Sequence, residues 1–154
     1  MKSSPDPGRR AVLLDANVLS RLARVQQADL LPKVFSGGCC LAPAVYHEIE
    51  AGIEAGVKYL EAVTSLVGQG NLQVLDVEDE DRDYIASLPR KLGLGEAEGI
   101  ALCRRLDLVF VTHDRKAANF CDQAGVRSLH FRTLVDVLKD RRLLTPEQAQ
   151  RALE

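Results

Sequence analysis

No stretch of this 154-residue chain is apolar for the roughly 20 residues that a membrane-crossing helix needs, which excludes a helical membrane protein. Met1 to Arg10 is polar, carries Pro5, Pro7 and Gly8, and lacks the apolar segment of an export signal. Residues 1–10 therefore read as a flexible lead-in to a cytoplasmic protein. Cysteine is sparse: Cys39, Cys40, Cys103 and Cys121 stand at no spacing of a zinc ribbon or redox pair, so they read as small buried hydrophobes. His47, His113 and His130 are likewise scattered and read as surface or packing residues. There is no excess of positive charge either. With a formal net charge of −2, a polyanionic partner would have to meet local basic clusters. No internal repeat, low-complexity tract or linker is present, which leaves one domain over 11–154.

What is present fits an ordinary globular chain, with 46% hydrophobic and 27% charged residues. At this size folding buries roughly two-thirds of the unfolded surface, so the core needs no disulfide or structural zinc. Basic pairs occur at Arg90-Lys91, Arg104-Arg105, Arg115-Lys116 and Lys139 with Arg141-Arg142. They read first as solvated helix faces.

Short β-rich runs appear at 11–15, 39–42, 72–77, 108–112 and 127–131, separated by helical stretches. Val18, Leu22 and Val25 repeat at helical distance. Val45, Ile49, Ile53, Val57, Leu60 and Val63 predict one long helix from Pro43 until Gly68 and Gly70 break it. Asp79 to Pro89 predicts a short amphipathic helix, 92–95 a turn, and 96–103 a largely buried helix. Two terminal helices follow, over 133–141 and from a Thr145-Pro146 start. Strands alternating with helices predict an α/β single domain: a three-layer α/β/α sandwich around a mainly parallel five-stranded sheet.

Two of the apolar runs stop on an acid. Ala-Val-Leu-Leu-Asp ends at Asp15, and Leu-Val-Phe-Val-Thr-His-Asp ends at Asp114. A buried unpaired carboxylate costs several kcal/mol or takes up a proton, so two such endings point to a built acidic site. In open parallel sheets the site lies beyond the C-terminal strand ends, where strand order reverses. If strands one and four are neighbours, Asp15 and Asp114 face each other there, and a divalent cation is the usual compensation. Glu48 and Glu96 stand near helix starts on the same rim, with complementing a helix dipole as the alternative role of Glu96. Glu50 and Glu98 compete with them. Residues two apart on a helix point apart, and periodicity does not choose within either pair.

Four segments, Leu-Leu-Asp-Ala-Asn-Val-Leu, Ala-Pro-Ala-Val-Tyr-His-Glu-Ile, Gly-Leu-Gly-Glu-Ala-Glu-Gly-Ile-Ala-Leu and Val-Phe-Val-Thr-His-Asp-Arg-Lys-Ala, resemble in order the four acidic motifs of PIN-domain proteins. The resemblance runs from about Val12 through Leu144. It implies that Asp15, Glu48, Glu96 and Asp114 form the acidic pocket. Asp15, Glu96 and Asp114 would be the metal ligands, and Glu48 would ligate or help deprotonate the attacking water. Asn17 matches the family's Asn and would orient the pocket, beside an alternative role as a helix cap. Thr112 would hold an acid or a metal-bound water, and Arg115 and Lys116 the substrate backbone. The implied activity is Mg²⁺- or Mn²⁺-dependent hydrolysis of phosphodiesters, most often in RNA, and oxygen ligands suit those ions.

The chain is similar both to stand-alone bacterial PIN-domain ribonucleases and to the VapC-like toxins of toxin–antitoxin pairs, which dimerise and are inhibited by a partner peptide. For a dimer face, Leu134, Leu138 and Leu143 are the candidates, with internal packing the default. Two other readings stand beside it. One is a non-catalytic PIN-like module that binds RNA or protein. The other is a Mg²⁺-dependent phosphatase, which would want a second Asp where Asn17 stands.

Overall fold

In the computed structural model, which describes residues 10–154, the two apolar runs that end on acids lie side by side in one sheet. Strand β1 (Val12–Leu14) pairs with β2 (Cys39–Leu41) on one edge and β4 (Val109–Thr112) on the other. The sheet runs β3-β2-β1-β4-β5, with β3 at Gln73–Val74 and β5 at Ser128–His130. Every pairing is parallel. The sheet is thus wholly rather than mainly parallel, and its switch point lies between β1 and β4. The central strands are apolar throughout because helices cover both faces: Leu13, Leu14, Phe110 and Val111 are completely buried. The expected lead-in lies, apart from Arg10, outside the described residues. No described helix is long and apolar enough to cross a membrane.

Helices α1 (Ala16–Arg24) and α2 (Leu30–Val34) link β1 to β2. Helices α3 (Pro43–Glu54) and α4 (Glu61–Gly68) lead to β3, and α5 (Asp79–Ala86) and α6 (Leu94–Leu106) lead to β4. Helix α7 (Arg115–Ala124) precedes β5, and α8 (Phe131–Asp140) and α9 (Pro146–Leu153) close the chain. Pro43 occupies the first turn of α3 as expected. Thr145 and Gln148 form a reciprocal capping box on α9.

The long helix expected from Pro43 to Gly68 is two helices. Its first half stops at Glu54, Gly56 takes a left-handed φ of +100°, and a 3₁₀ turn over Lys58–Leu60 precedes α4. The apolar stripe survives the break because α4 folds back on α3, so Val45, Ile49, Leu60 and Val63 all stay buried. The run at 72–77 yields a strand of only two residues at the sheet edge. The five-residue α2 has too short an apolar pattern to be read from sequence.

The expected buried helix at 96–103 is the centre of α6, and it presses closely on the sheet. A Cβ at Gly99 would come within 2.6 Å of Phe110 and 3.1 Å of Leu13. Gly99→Ala should therefore overpack this contact and cost about 1–3 kcal/mol, read as a lower urea midpoint. An unchanged midpoint would mean that α6 can lift from β1 and β4 freely.

All four cysteines are free and buried. Burial pushes the Cys39 and Cys121 thiols up to about 12 and Cys103 well above its ordinary value. None is a reactive thiolate, in keeping with small core residues.

Candidate active site

Asp15 and Asp114 take their positions from the strand ends and their orientations from the helices that follow. Asp15 caps α1, accepting from the Ala16 N–H through Oδ1 at 2.8 Å. Asp114 caps α7 and accepts from the Lys116 N–H at 2.8 Å. Between them stands Thr112, which has no solvent exposure. Its hydroxyl donates to Asp15 Oδ2 at 3.0 Å and accepts from the Asp114 N–H at 3.1 Å. The hydroxyl thus joins the two acids across the β1–β4 crevice, where parallel pairing in register puts Asp15 opposite the end of β4.

Glu96 lies in the first turn of α6 and belongs to the same charge cluster. Burial, a hydrogen bond that the protonated carboxyl gives to Asp114, and the charges of Asp15 and Asp114 push it up to about 7, against a weaker opposing hydrogen bond from the Gly93 backbone. Complementing the helix dipole would lower that value, so burial and the neighbouring acids together outweigh the dipole. Glu96 Oε2 is buried without a partner among the described residues. Burial also raises Asp15, with a smaller push from Asp114, against hydrogen bonds from Thr112 and Ala16. Glu48 is raised by partial burial and then by Asp15. One mutually repelling group of acids results.

The choices that periodicity left open separate in space. Glu98 turns away from the cluster, and its Oε1 accepts from the Ala44 N–H at 2.8 Å. Ala42 offers α3 no side-chain cap, so Glu98 supplies one from another helix. Glu50 is exposed beside His47, at 3.7 Å. Gly95 makes room for Glu48: a Cβ there would lie 3.2 Å from Glu48 Oε1 and 3.0 Å from Val45. Glu98→Ala should lower stability by about 1 kcal/mol in urea unfolding, the usual cost of a lost cap, while Glu50→Ala leaves it unchanged. Equal midpoints for the two variants would refute the capping role.

Asn17 is not the helix cap, because Asp15 already holds that place. Asn17 lies inside the first turn of α1, where its Oδ1 accepts from Arg21 Nε. Arg21 in turn donates to the Ala152 carbonyl at 2.9 Å, tying α1 to the end of α9. Asn17, Arg21, Arg24 and Glu48 line one polar hollow beside the acids. Arg115 and Lys116 are exposed on the first turn of α7, adjoining Asp114.

The histidines have local roles. His130 caps α8 by accepting from the Arg132 N–H at 3.2 Å. His113 stacks edge-on against Phe131, with its Nδ1 buried and unpartnered among the described residues. Burial and the charges of Arg21, His130 and Arg132 lower its pKa, which keeps it neutral beside Asp114.

Among the described residues, no three His, Cys, Asp or Glu side chains form a ready-made cage for a metal ion. The chemistry of the acids nevertheless fits a hard divalent cation, since every donor is oxygen and Glu96 Oε2 has an unmet need for a positive partner. A cation there would offset the burial and repulsion that raise the Glu96 carboxyl.

A family model described as PIN domain (DUF3368) matches residues 11–154. Among solved structures, a PilT N-terminus domain protein from the hyperthermophilic archaeon Sulfolobus solfataricus P2 is similar at 11% identity, covering 94% of each chain with a TM-score of 0.51. A domain of a functionally unknown protein from Methanocaldococcus jannaschii DSM 2661 is similar at 17% identity, covering 79% of this chain and 90% of that one, with a TM-score of 0.52. At these identities the two structures speak for the fold alone. No curated protein sequence matches. With nearly its whole length matched by that family model and its acids at the ends of β1 and β4, the chain belongs to the PIN domain family.

Proposed function

We propose that this protein is a metal-dependent endoribonuclease. PIN domains are generally metal-dependent nucleases. The observation that carries the reading for this chain is the coupling of Asp15, Glu96 and Asp114, which leaves one buried carboxylate oxygen unpartnered and one carboxyl near neutral pKa.

Asp15, Glu96 and Asp114 would hold a Mg²⁺ or Mn²⁺ ion. When bound, such an ion makes a water acidic enough to attack phosphorus and stabilises the developing charge. Thr112 keeps Asp15 turned toward the crevice and fixes its distance from Asp114. Glu48, exposed to solvent and raised in pKa, takes the proton of the attacking water at its carboxylate and passes it to solvent. Arg115 and Lys116 hold the phosphates that flank the scissile bond, so activity falls as salt rises. RNA as the substrate, a homodimer and an inhibitory antitoxin peptide come to this reading through the family likeness. Of the leucines considered for a dimer face, Leu134 and Leu138 are core residues and only Leu143 is exposed.

The pH dependence tests the site directly. Because the folded Glu96 titrates near 7, above its ordinary 4.5, the free protein carries a proton there at pH 6 that a cation must displace. Mn²⁺ titrated by calorimetry should bind weakly at pH 6 with release of close to one proton, and more tightly at pH 8 with almost none. Cleavage of a structured RNA should rise over the same interval and vanish with chelator. Mn²⁺ binding without pH dependence would remove Glu96 from the site. Binding without cleavage of any RNA or DNA would leave a binding module.

A further inference from the structure

A second hollow lies at the opposite end of the sheet from the acids. Its floor is the first residues of three strands, Val12, Val109 and Ser128, and α8 covers it with Leu134 and Val137. It encloses about 490 Å³, within the roughly 300–1,000 Å³ range of small-molecule sites. The walls are almost wholly apolar. Among the described residues its charged groups are all of one kind: Arg10, Arg127 and Arg141 line it, and no carboxylate does.

Those guanidiniums are incompletely satisfied. Arg10 donates from Nη1 to Asp107 at 3.0 Å, but its Nε is buried with no partner among the described residues. Arg127 and Arg141 are exposed, so they stand at the mouth, and neither enters an ion pair among the described residues. An apolar hollow with unpaired cations at its mouth repels a cationic ligand and gives a neutral one nothing to orient it. A polyanion such as RNA would pair with the arginines and leave the apolar walls unfilled. An apolar body with a single anionic head satisfies both.

We propose that this hollow is a binding site for a small anionic amphiphile, with its apolar body against Val12, Val109 and Leu134 and its carboxylate or phosphate head on Arg10, Arg127 and Arg141. The site is separate from the acidic cluster and does not depend on how that cluster is read.

Methyl NMR of the full chain, titrated with octanoate, octyl phosphate and 1-octanol, tests the proposal. Both anions should shift the Val109, Leu134 and Val137 methyls and bind about tenfold more tightly than the alcohol. The tighter anion identifies the head group. Replacing both exposed arginines (Arg127→Ala with Arg141→Ala) should reduce octanoate to the level of octanol. Val137→Glu, at an exposed position, should occupy the arginines internally and abolish binding. Equal binding of octanol and octanoate would overturn the proposal, as would the absence of any shift. So would shifts at these methyls produced by a short RNA instead, or a dilution-dependent dimer whose dissociation alone moves them.

Discussion

Asp15→Asn is expected to lower nuclease activity at least about a hundredfold while making the metal-free protein more stable. The first effect follows from its place as a metal ligand in the proposed mechanism, where lost charge stabilisation is worth several kcal/mol of the barrier. The second follows from the shifts of its neighbours. Asp15 adds to the electrostatic push on both Glu96 and Glu48, and burial raises its own carboxyl, so folding brings together charges that resist one another. A neutral amide of the same shape removes the central charge, keeps the Ala16 N–H as a donor to its oxygen, and reverses the Thr112 bond, with the amide nitrogen donating to the hydroxyl.

After allowance for solvent screening at the partly buried Glu96, the gain is about 1 kcal/mol, or roughly 2–4 °C in thermal midpoint for a chain of this size. Mg²⁺ should raise the midpoint of the wild-type protein and not that of the variant. The folded pKa of Glu96 lies above the unfolded value, so the metal-free protein loses stability as pH rises from about 4.5 through 7. A variant that keeps activity, or one that unfolds at lower temperature than wild type without metal, would contradict the acidic-site assignment.

Asp81→Ala is expected to destabilise the protein by about 3 kcal/mol. Asp81 opens α5 with its side chain only 1% exposed and accepts from Arg105 Nε on α6 at 2.8 and 3.0 Å. It also accepts from the Glu78 N–H at 2.9 Å, completing a capping box with Glu78. Removing the carboxylate takes away the acceptor of the Glu78 N–H, half of the capping box, and leaves the Arg105 guanidinium facing a cavity. The figure sits at the low end for broken buried pairs because Arg105 reaches solvent.

The pH dependence has the opposite sign to that of Glu96. Burial pushes the Asp81 carboxyl up, but the Arg105 and Glu78 hydrogen bonds and the charges of Arg105 and Arg82 together hold it below its ordinary value. Its contribution is therefore complete above about pH 4, the unfolded value, and disappears as pH falls through the lowered folded value. Urea unfolding from pH 3 to 7 should show a wild-type loss of stability at the acid end that Asp81→Ala lacks. A double-mutant cycle with Arg105→Ala should return a coupling of the same order. Additive effects would mean that α5 and α6 hold together through their apolar contacts alone.

This pair was not legible in the sequence. Asp81 lies in an acidic run, Glu78-Asp79-Glu80-Asp81, that reads as solvated, and Arg105 belongs to a basic pair that reads the same way. Only the docking of α5 on α6 turns one acid out of four inward.

Local pattern by itself determined the order of strands and helices, because strands buried on both faces are written as continuous apolar runs and helices as spaced ones. It also placed Asp15 and Asp114 at strand ends, and a parallel sheet has its crevice there whatever the rest of the chain does. Tertiary structure decided the remainder. Glu96 and Glu98 stand about 200° apart around one helix, and which of them meets Asp114 depends on the roll of α6. Gly99 lets α6 press in that orientation on Phe110 of the next strand and on Leu13, which is far away in sequence. The same holds for Glu48, whose space beside Asp15 exists because Gly95 has no side chain. A carboxylate's place on the chain is local information, whereas its charge state is a sum over neighbours that only the folded chain assembles.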